Sequence, residues 1–146
     1  MVAPFANPDE ETTRRLLLGT RRIAVVGLSP KAHRDSHRVA RYLLEQGYDL
    51  VPVYPREERI LGQVVYRRVQ DIPGRVDLVD VFRRSEALPE VIDDVLAAGA
   101  GALWLQLGCI DHQGARRARE AGLTVVMDRC LMVDHRRLLA RAPSRP

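Results

Sequence analysis

The sequence has few of the features that mark several common classes of protein. It contains only two cysteines, Cys109 and Cys130, in 146 residues, which is too few for a small disulfide scaffold or a four-cysteine zinc site. No apolar run approaches the roughly 20 residues that a membrane-spanning helix needs. The N-terminus lacks the basic start and apolar centre of a secretion signal. These absences predict a cytoplasmic protein with reduced thiols and no membrane partner.

Lysine is almost absent as well, since Lys31 is the only one among 23 basic residues. The formal net charge of +4 permits nucleic-acid binding but does not favour it strongly. No helix-turn-helix segment accompanies this charge. We therefore do not expect nucleic acid to be a partner.

The sequence does contain a regular alternation of apolar runs and amphipathic segments. Nearly continuous apolar runs predict strands over residues 23–27, 48–54, 76–82, 102–107 and 123–127, because strands of a parallel sheet are buried on both faces. Helical spacing predicts helices over 9–18, 35–46, 85–99, 111–121 and 131–140. Such alternation gives an α/β fold with a single doubly wound, mainly parallel sheet and helices on both faces, which is a Rossmann-like architecture.

The length predicts one domain with a substantial core. We expect an N-terminal helical extension over residues 1–20, the Rossmann-like domain over 21–140 and a disordered tail over 141–146. We also expect Asp35 or Ser36 to cap the second helix and Ser85 to cap the third. Pro52 fits poorly in a central strand. Residues 60–72 are compatible with a short edge strand or an irregular excursion.

The first strand ends in a segment that is typical of a phosphate-binding loop. The apolar run Ile23-Ala24-Val25-Val26 stops at Gly27 and opens into a polar, basic turn before a helix. Glycine lets the backbone turn sharply and lets an anion approach the N–H groups at the positive end of that helix. His33 and His37 lie beside it, where an imidazole could donate to a phosphate. The segment predicts a phosphorylated ligand.

Two fingerprints of nucleotide enzymes are missing from the strand ends. A Gly-x-Gly-x-x-Gly loop with an acidic residue after the second strand would bind a ribose 2′-hydroxyl, but Gly27 is the only glycine in this loop. The second strand ends in Tyr54-Pro55-Arg56, where an arginine would attract a ribose phosphate. NAD is therefore disfavoured, while NADP and a 3′-phosphorylated adenosine such as coenzyme A both remain open. No Gly-Lys-Ser/Thr pattern follows, which argues against ATP hydrolysis.

Five blocks in register carry a family resemblance over about residues 20 to 138. They are Val26-Gly27-Leu28-Ser29-Pro30 followed by Tyr42-Leu43, Val51-Pro52-Val53-Tyr54-Pro55-Arg56, Val79-Asp80-Val81-Phe82-Arg83, Leu103-Trp104-Leu105-Gln106-Leu107-Gly108, and Val125-Val126-Met127-Asp128-Arg129-Cys130. Together they resemble the small stand-alone CoA-binding proteins, which are related to the N-terminal CoA-binding domain of the succinyl-CoA synthetase α subunit. The resemblance implies a Rossmann-type domain that binds coenzyme A at its strand ends.

The resemblance also implies which residues meet each part of coenzyme A. It implies phosphate contacts for the loop residues Gly27, Leu28, Ser29, Pro30 and Lys31, with Arg34 and Ser36 at the next helix. Tyr54, Pro55 and Arg56 would lie near the 3′-phosphate or the adenosine, with Phe82 and Arg83 near the adenine. Gln106, Leu107, Gly108 and Cys130 would flank the pantetheine arm. Tyr54 stands where the family usually has asparagine.

The sequence shows no nucleophile, base and orienting group that could form a catalytic set. The synthetase's phosphohistidine belongs to a different domain, so the resemblance does not carry the ligase activity over. We expect a non-catalytic module that binds, senses or presents CoA or an acyl-CoA, with an unidentified acyl-CoA enzyme as a candidate partner. An NADP-dependent reductase or an acyl-CoA ligase component is the alternative. Thiol–disulfide exchange between Cys130 and the CoA thiol is a further hypothesis.

Overall fold

The computed structural model describes residues 4–139, and its centre is a five-stranded parallel sheet. In chain order the strands are β1 (Arg22–Val26), β2 (Asp49–Val53), β3 (Arg59–Ile60), β4 (Gln63–Val64), β5 (Leu78–Val81), β6 (Ala102–Leu105) and β7 (Thr124–Met127). The main sheet has the order β2-β1-β5-β6-β7 and all its pairs are parallel. The strand order reverses between β1 and β5, and this switch point is where ligands bind in open α/β sheets.

Within residues 4–139, five helices cover the two faces of this sheet. They are α1 (Glu10–Gly19), α2 (Asp35–Glu45), α3 (Leu88–Ala98), α4 (His112–Glu120) and α5 (Leu131–Leu139). Successive side chains of a strand point to opposite faces, so each strand contributes to two separate apolar layers. One layer joins the sheet to α3 and α4, and the other joins it to α1, α2 and α5. The predicted doubly wound, Rossmann-like fold is confirmed.

Pro52 lies inside β2, the strand at one edge of the main sheet. Its carbonyl accepts a hydrogen bond from the backbone N–H of Tyr66 at 3.0 Å, on the side of β2 away from β1. In a parallel strand the nitrogen and carbonyl of one residue point the same way, so the proline's missing N–H breaks no bond to β1. Residues 59–64 form the small antiparallel hairpin β3–β4, and a single bridge then joins Val53 to Tyr66.

The predicted caps of the second and third helices are wrong. Arg34 is the N-cap of α2 and makes no side-chain cap bond, while the Ser36 hydroxyl accepts from the N–H of Ser29 instead. Ser85 begins a short 3₁₀ turn, and Ala87 is the N-cap of α3. In both cases the serine hydroxyl binds the backbone of a neighbouring loop, which competes with capping its own helix.

The helix ends and helix lengths are otherwise close to expectation. Gly99 terminates α3 in a left-handed conformation, with φ of 70°, as glycine after a helix commonly does. Among residues 4–139, none of the helices has both the length and the apolar character needed to cross a bilayer. The predicted disordered tail over 141–146 lies outside the described residues.

Candidate functional site

Gly27 stands where the ends of three strands meet. Its N–H donates to the carbonyl of Val53 at 2.9 Å, and the N–H of Phe82 donates to the carbonyl of Val26 at 2.9 Å. Its φ is +80°, and a Cβ added there would lie 2.1 Å from the carbonyl oxygen of Phe82. No other residue fits this backbone. The fold itself therefore requires glycine at the switch point, whether or not a ligand is bound.

The loop after Gly27 is fastened to the first turn of α2. The hydroxyl of Ser36 accepts from the N–H of Ser29 at 3.0 Å, and the hydroxyl of Ser29 accepts from the N–H of Lys31 at 3.1 Å. The Nδ1 atom of the buried His37 lies 3.0 Å from the carbonyl of Ser29. Ser36 and His37 thus shape the loop, and this nitrogen of His37 is not left for a phosphate.

The fastened loop presents the start of α2 to the carboxyl end of the sheet. The first N–H groups of a helix have no acceptor within the helix and form its positive end. Lys31 and Arg34 are exposed beside it. Leu28, in contrast, is fully buried in the layer shared with α2, so its side chain belongs to the core and only its backbone borders the loop.

A first cavity of about 390 Å³, here called the α3 cavity, opens between the ends of β1, β2 and β5 and helix α3. The predicted site residues in its wall are Gly27, Tyr54, Pro55, Phe82 and Arg83. Its wall also contains three charged residues that sequence reasoning missed, namely Arg67, Arg68 and Asp94, and four valines, Val26, Val53, Val69 and Val91. The cavity combines two aromatic rings with several arginines.

A second cavity of about 500 Å³, here called the α5 cavity, opens between the ends of β5 and β6, the start of α2 and the start of α5. The predicted site residues in its wall are Phe82, Arg83, Gln106, Leu107, Gly108 and Cys130. Sequence reasoning missed the remaining wall residues, Asp35, Arg38, Val39, Arg84, Cys109, Met132 and Val133. Phe82 and Arg83 line both cavities, which therefore adjoin at the switch point.

The other predicted residues lie outside the walls of these two cavities. They are Leu28, Ser29, Pro30, Lys31, Arg34, Ser36 and Arg56. All but Arg56 belong to the loop and the start of α2. Arg56 is exposed, and its guanidinium lies 6.0 Å from the centre of the Tyr54 ring. It therefore sits beside the α3 cavity without entering its wall.

Arg67 holds the loop that follows β2. Its Nη1 donates to the carbonyls of Tyr54, Arg56 and Glu57 at 3.2, 2.9 and 2.8 Å. Glu57 has a left-handed backbone with φ of 70°, which a non-glycine residue adopts only at a cost. Three convergent carbonyls around one cationic group offset that cost. Sequence reasoning missed Arg67 because the pattern of residues 60–72 is irregular.

Arg68 is committed to an ion pair in the same wall. Its Nη2 donates to the Asp94 carboxylate at 2.7 Å, and the Gln70 amide donates to the same oxygen at 3.1 Å. Partial burial acts to raise the pKa of Asp94, but these hydrogen bonds outweigh it and the pKa is lowered. The carboxylate thus stays charged and neutralises part of the positive wall.

The turn after β6 is held by two residues that sequence reasoning did not assign to the site. The Asp128 carboxylate accepts from the N–H of Gly108 at 2.8 Å. The Ser85 hydroxyl donates to the carbonyl of Gly108 at 3.1 Å and accepts from the N–H of Ile110 at 3.0 Å. Asp128 itself has φ of 61°, a region in which aspartate is more common than most residues. That preference was the only signal in the sequence.

The end of β7 is fixed by an internal ion pair. Arg129 donates through Nε and Nη2 to the two carboxylate oxygens of Asp134 at 2.6 and 2.8 Å. Asp134 is only 2% exposed. The carbonyl of Arg129 also accepts from the indole of the fully buried Trp104 at 2.8 Å. Arg129 therefore joins β7 to α5, and Trp104 is a core residue.

The two cysteines differ in their surroundings. Cys109 is buried, and its Sγ lies 3.1 Å from the carbonyl of Arg83. Burial raises the pKa of the Cys109 thiol, so little of it is thiolate at neutral pH. Cys130 is half-buried at the base of the α5 cavity.

One buried carboxyl group in β5 stands apart from all these contacts. Asp80 is fully buried on the strand beside the switch point, between Val25 of β1 and Trp104 of β6. Neither of its carboxyl oxygens has a hydrogen-bond partner within the described residues. Burial raises its pKa well above the usual range, because an unpaired charge is unstable in a low-dielectric interior. Burial therefore favours the protonated form of the Asp80 carboxyl group.

Comparison with known families gives a match to the greater part of the chain. A family model described as a CoA binding domain matches residues 21–136. The match begins directly before β1 and ends within α5, so it includes the whole main sheet and both cavities. Only α1 lies outside it among the five helices.

Individual relatives fall into two groups. An uncharacterized protein of Bacillus subtilis is 38% identical over 129 residues, covering 88% of this chain and 96% of that protein. A solved structure of a hypothetical protein from Pyrococcus horikoshii has a TM-score of 0.88 and 38% identity, covering 95% of this chain and 98% of that one. The alpha subunit of ADP-forming acetate–CoA ligase I from Pyrococcus furiosus is 25% identical over 126 residues, covering 75% of this chain but 27% of the subunit. The chain thus spans about a quarter of that ligase subunit.

Proposed function

Since this chain belongs to the CoA-binding domain family, we propose that it binds coenzyme A in the two adjoining cavities at the carboxyl ends of its strands. The observation that carries the proposal is the sharing of Phe82 and Arg83 between the α3 and α5 cavities. Coenzyme A is a long ligand with a charged adenosine end and a neutral arm. A cleft in two connected parts with different linings suits such a molecule.

The α3 cavity would hold the adenosine end. An adenine ring stacks favourably on aromatic faces, and Tyr54 and Phe82 supply two of them. Arg56 lies beside Tyr54, and Arg83 extends over Gly27, with its Cδ 3.3 Å from where a Cβ would be. A 3′-phosphate placed at this edge would interact with both guanidinium groups.

The loop and the start of α2 would hold the pyrophosphate. Gly27 at the base of the loop lines the α3 cavity, and Asp35 and Arg38 at the start of α2 line the α5 cavity. The loop is fixed before any ligand arrives by its bonds to Ser36 and His37. Preorganised N–H groups at a helix start bind phosphate without further rearrangement. Lys31 and Arg34 would add positive charge at the rim. The side chain of Leu28 would support the loop from below.

The α5 cavity would hold the pantetheine arm. Gln106 is buried, and its side-chain carbonyl accepts from the N–H of Leu131 at 3.1 Å, so its amide nitrogen would be positioned for the arm's carbonyls. Leu107 and Gly108 would flank the arm, and Cys130 would lie near the thiol. This assignment sends the reactive end of CoA toward α5.

We further propose that the chain acts as a non-catalytic module that binds, senses or presents CoA. Three titratable groups near the cavities are committed to structural contacts: Asp94 to Arg68, Asp128 to Gly108 and His37 to Ser29. A role as the CoA-binding component of an acyl-CoA ligase is the second candidate, favoured by the match to the acetate–CoA ligase alpha subunit. In that role a partner protein would supply the chemistry.

Calorimetric titration with CoA, 3′-dephospho-CoA and NADP tests the binding. We expect saturable binding of CoA, with an affinity loss of about ten-fold or more without the 3′-phosphate, since charge-assisted hydrogen bonds contribute about 1.5–3 kcal/mol. NADP is expected to bind more weakly. Arg83→Met should weaken CoA binding, and Arg15→Met on the exposed surface of α1 is the matched control. Absence of CoA binding would overturn the proposal, and tighter binding of NADP would favour a reductase.

A turnover assay tests the non-catalytic role. The purified chain is incubated with acetyl-CoA, ADP and phosphate, and free thiol is followed over time. We expect no release beyond that of a protein-free sample. Release that scales with protein concentration would establish an enzyme and contradict the module.

A further inference from the structure

Three exposed apolar side chains lie on the two segments that border the α5 cavity, namely the turn after β6 and the start of α5. Leu107, Ile110 and Val133, here called the apolar rim, account for three of the five large hydrophobic residues that are most exposed among the described residues. Leu107 is 65% exposed and Val133 is 52% exposed, and both line the cavity. Single exposed apolar residues are ordinary, whereas a group of them beside a concave surface marks a binding groove.

The rim is held in place by the fold. Leu107 and Ile110 lie on the turn whose backbone is pinned at Gly108 by Asp128 and at Ile110 by Ser85. Directly before Leu107, the N–H of Gln106 donates to the carbonyl of Val81 at 3.2 Å. The backbone is therefore held on both sides of Leu107, and its exposure is not that of a loosely attached loop. Val133 lies in the first turns of α5, across the cavity. The groove between them is therefore formed before a ligand arrives.

The geometry points to an acyl-binding groove, in which the chain of an acyl-CoA thioester lies between Leu107 and Val133. This inference rests on the proposed function, which sends the pantetheine arm past Gln106 toward Cys130. Groups attached to the CoA sulfur would then continue outward into the groove, where Met132 forms part of the wall. The ligand class is a CoA thioester of an uncharged acyl group.

The chemistry of the wall favours an uncharged chain over a carboxylated one. Val39 and Met132 extend the apolar lining inward from the rim. Arg38 is engaged by Asp35, and the other two arginines of the wall, Arg83 and Arg84, are exposed to solvent after β5. A terminal carboxylate on the acyl chain would have to lose water against Leu107 and Val133. A methyl-terminated chain of the same length would release water from those side chains instead.

The affinity of a series of thioesters tests the groove. Dissociation constants are measured by calorimetry for CoA and for its acetyl, butanoyl and hexanoyl thioesters. Full burial of a methylene contributes about four-fold in affinity, and an open groove is expected to give about two-fold per methylene. Butanoyl-CoA should also bind several-fold more tightly than succinyl-CoA, which has the same number of acyl carbons. An affinity that does not change with chain length would overturn the inference.

A matched pair of substitutions assigns the effect to the rim. Val133→Thr keeps the branched shape but replaces one methyl group with a hydroxyl, and we expect it to reduce the gain in affinity per methylene. Val64→Thr makes the same change at a residue 46% exposed on the β3–β4 hairpin and should leave the gain unchanged. Equal effects of the two variants would contradict the groove. If Val133→Thr instead dissociated a dimer in sedimentation without altering the gain, the rim would be a contact between copies and the inference would fail.

These results separate the groove from the function on which it rests. Binding of CoA with no dependence on acyl length would overturn the groove and leave CoA binding standing. Failure of CoA and of every thioester to bind would overturn both.

Discussion

The buried carboxyl group of Asp80 makes the stability of this protein depend on pH in an unusual direction. Most aspartates have a lowered pKa in the folded state and stabilise a protein more as the pH rises. Asp80 has no hydrogen-bond partner within the described residues, and burial raises its pKa well above the usual range. The folded state therefore holds the Asp80 proton to a higher pH than the unfolded chain, which releases it near pH 4.

The size of the effect follows from proton linkage. Wherever the folded state holds one proton more than the unfolded state, the free energy of unfolding falls by about 1.4 kcal/mol per pH unit. This contribution is fully present below the unfolded pKa and is lost as the pH rises toward the folded pKa. If the carboxyl keeps its proton up to pH 7, raising the pH from 5 to 7 removes up to about 3 kcal/mol. That is a large part of the stability of an ordinary domain.

Asp80→Asn tests whether the Asp80 carboxyl causes this pH dependence, because an amide has nearly the same shape and does not titrate between pH 5 and 7. We expect the free energy of unfolding in urea to exceed that of the unmodified protein at pH 7, and the difference to shrink toward pH 5. Comparing the two proteins at each pH cancels the titration of the remaining groups, unless they interact with Asp80. A difference that stays constant between pH 5 and 7, or grows toward pH 5, would refute a protonated Asp80.

Three further predictions concern the switch point and the cavities. Gly27→Ala puts a Cβ on a residue with a left-handed backbone, directly against the carbonyl of Phe82. Thermal denaturation should show that the free energy of unfolding falls by about 2–5 kcal/mol. An unchanged midpoint would contradict the close approach. Arg67→Met removes the hydrogen bonds to three carbonyls of the loop after β2 and should weaken CoA binding about 5- to 10-fold in calorimetry. An equal effect on CoA and on 3′-dephospho-CoA would show that this loop does not contact the 3′-phosphate. With CoA disulfide, the Cys130 thiolate should attack one sulfur, form a mixed disulfide and expel CoA thiolate. Mass spectrometry should locate the adduct on Cys130 and not on the buried Cys109, whose pKa burial raises.

The sheet could be predicted because its strands are buried on both faces. The run from Ile23 to Val26 has no polar residue. The other main strands have only Asp49, Asp80 and Thr124 as polar residues. The parallel order then followed from the alternation with helices, and the strand-end rule selected residues that line both cavities. Local patterns are sufficient for these features, since each depends on burial within a short segment.

The parts that the sequence did not reveal depend on contacts between distant segments. Ser36 and Ser85 look like helix caps locally, but their hydroxyls bind the loops at Ser29 and Gly108. Arg67 gains its role only when the β3–β4 hairpin returns the chain to β2. Asp80 lies inside a strand that the sequence predicts, and only the packed sheet shows that its carboxyl oxygens have no hydrogen-bond partner within the described residues. Tertiary packing decided each of these cases.

Chemical-shift mapping with CoA tests directly whether coenzyme A binds at the carboxyl ends of the strands. Backbone amide resonances of the isotope-labelled protein are recorded during a titration with CoA. We expect saturable changes in amide chemical shift at Gly27 to Lys31, at Phe82 and Arg83, and at Gln106 to Gly108. The changes in α1 and α4 should be small. The absence of shifts, or shifts confined to α1 and α4, would contradict a CoA site at the carboxyl ends of the strands.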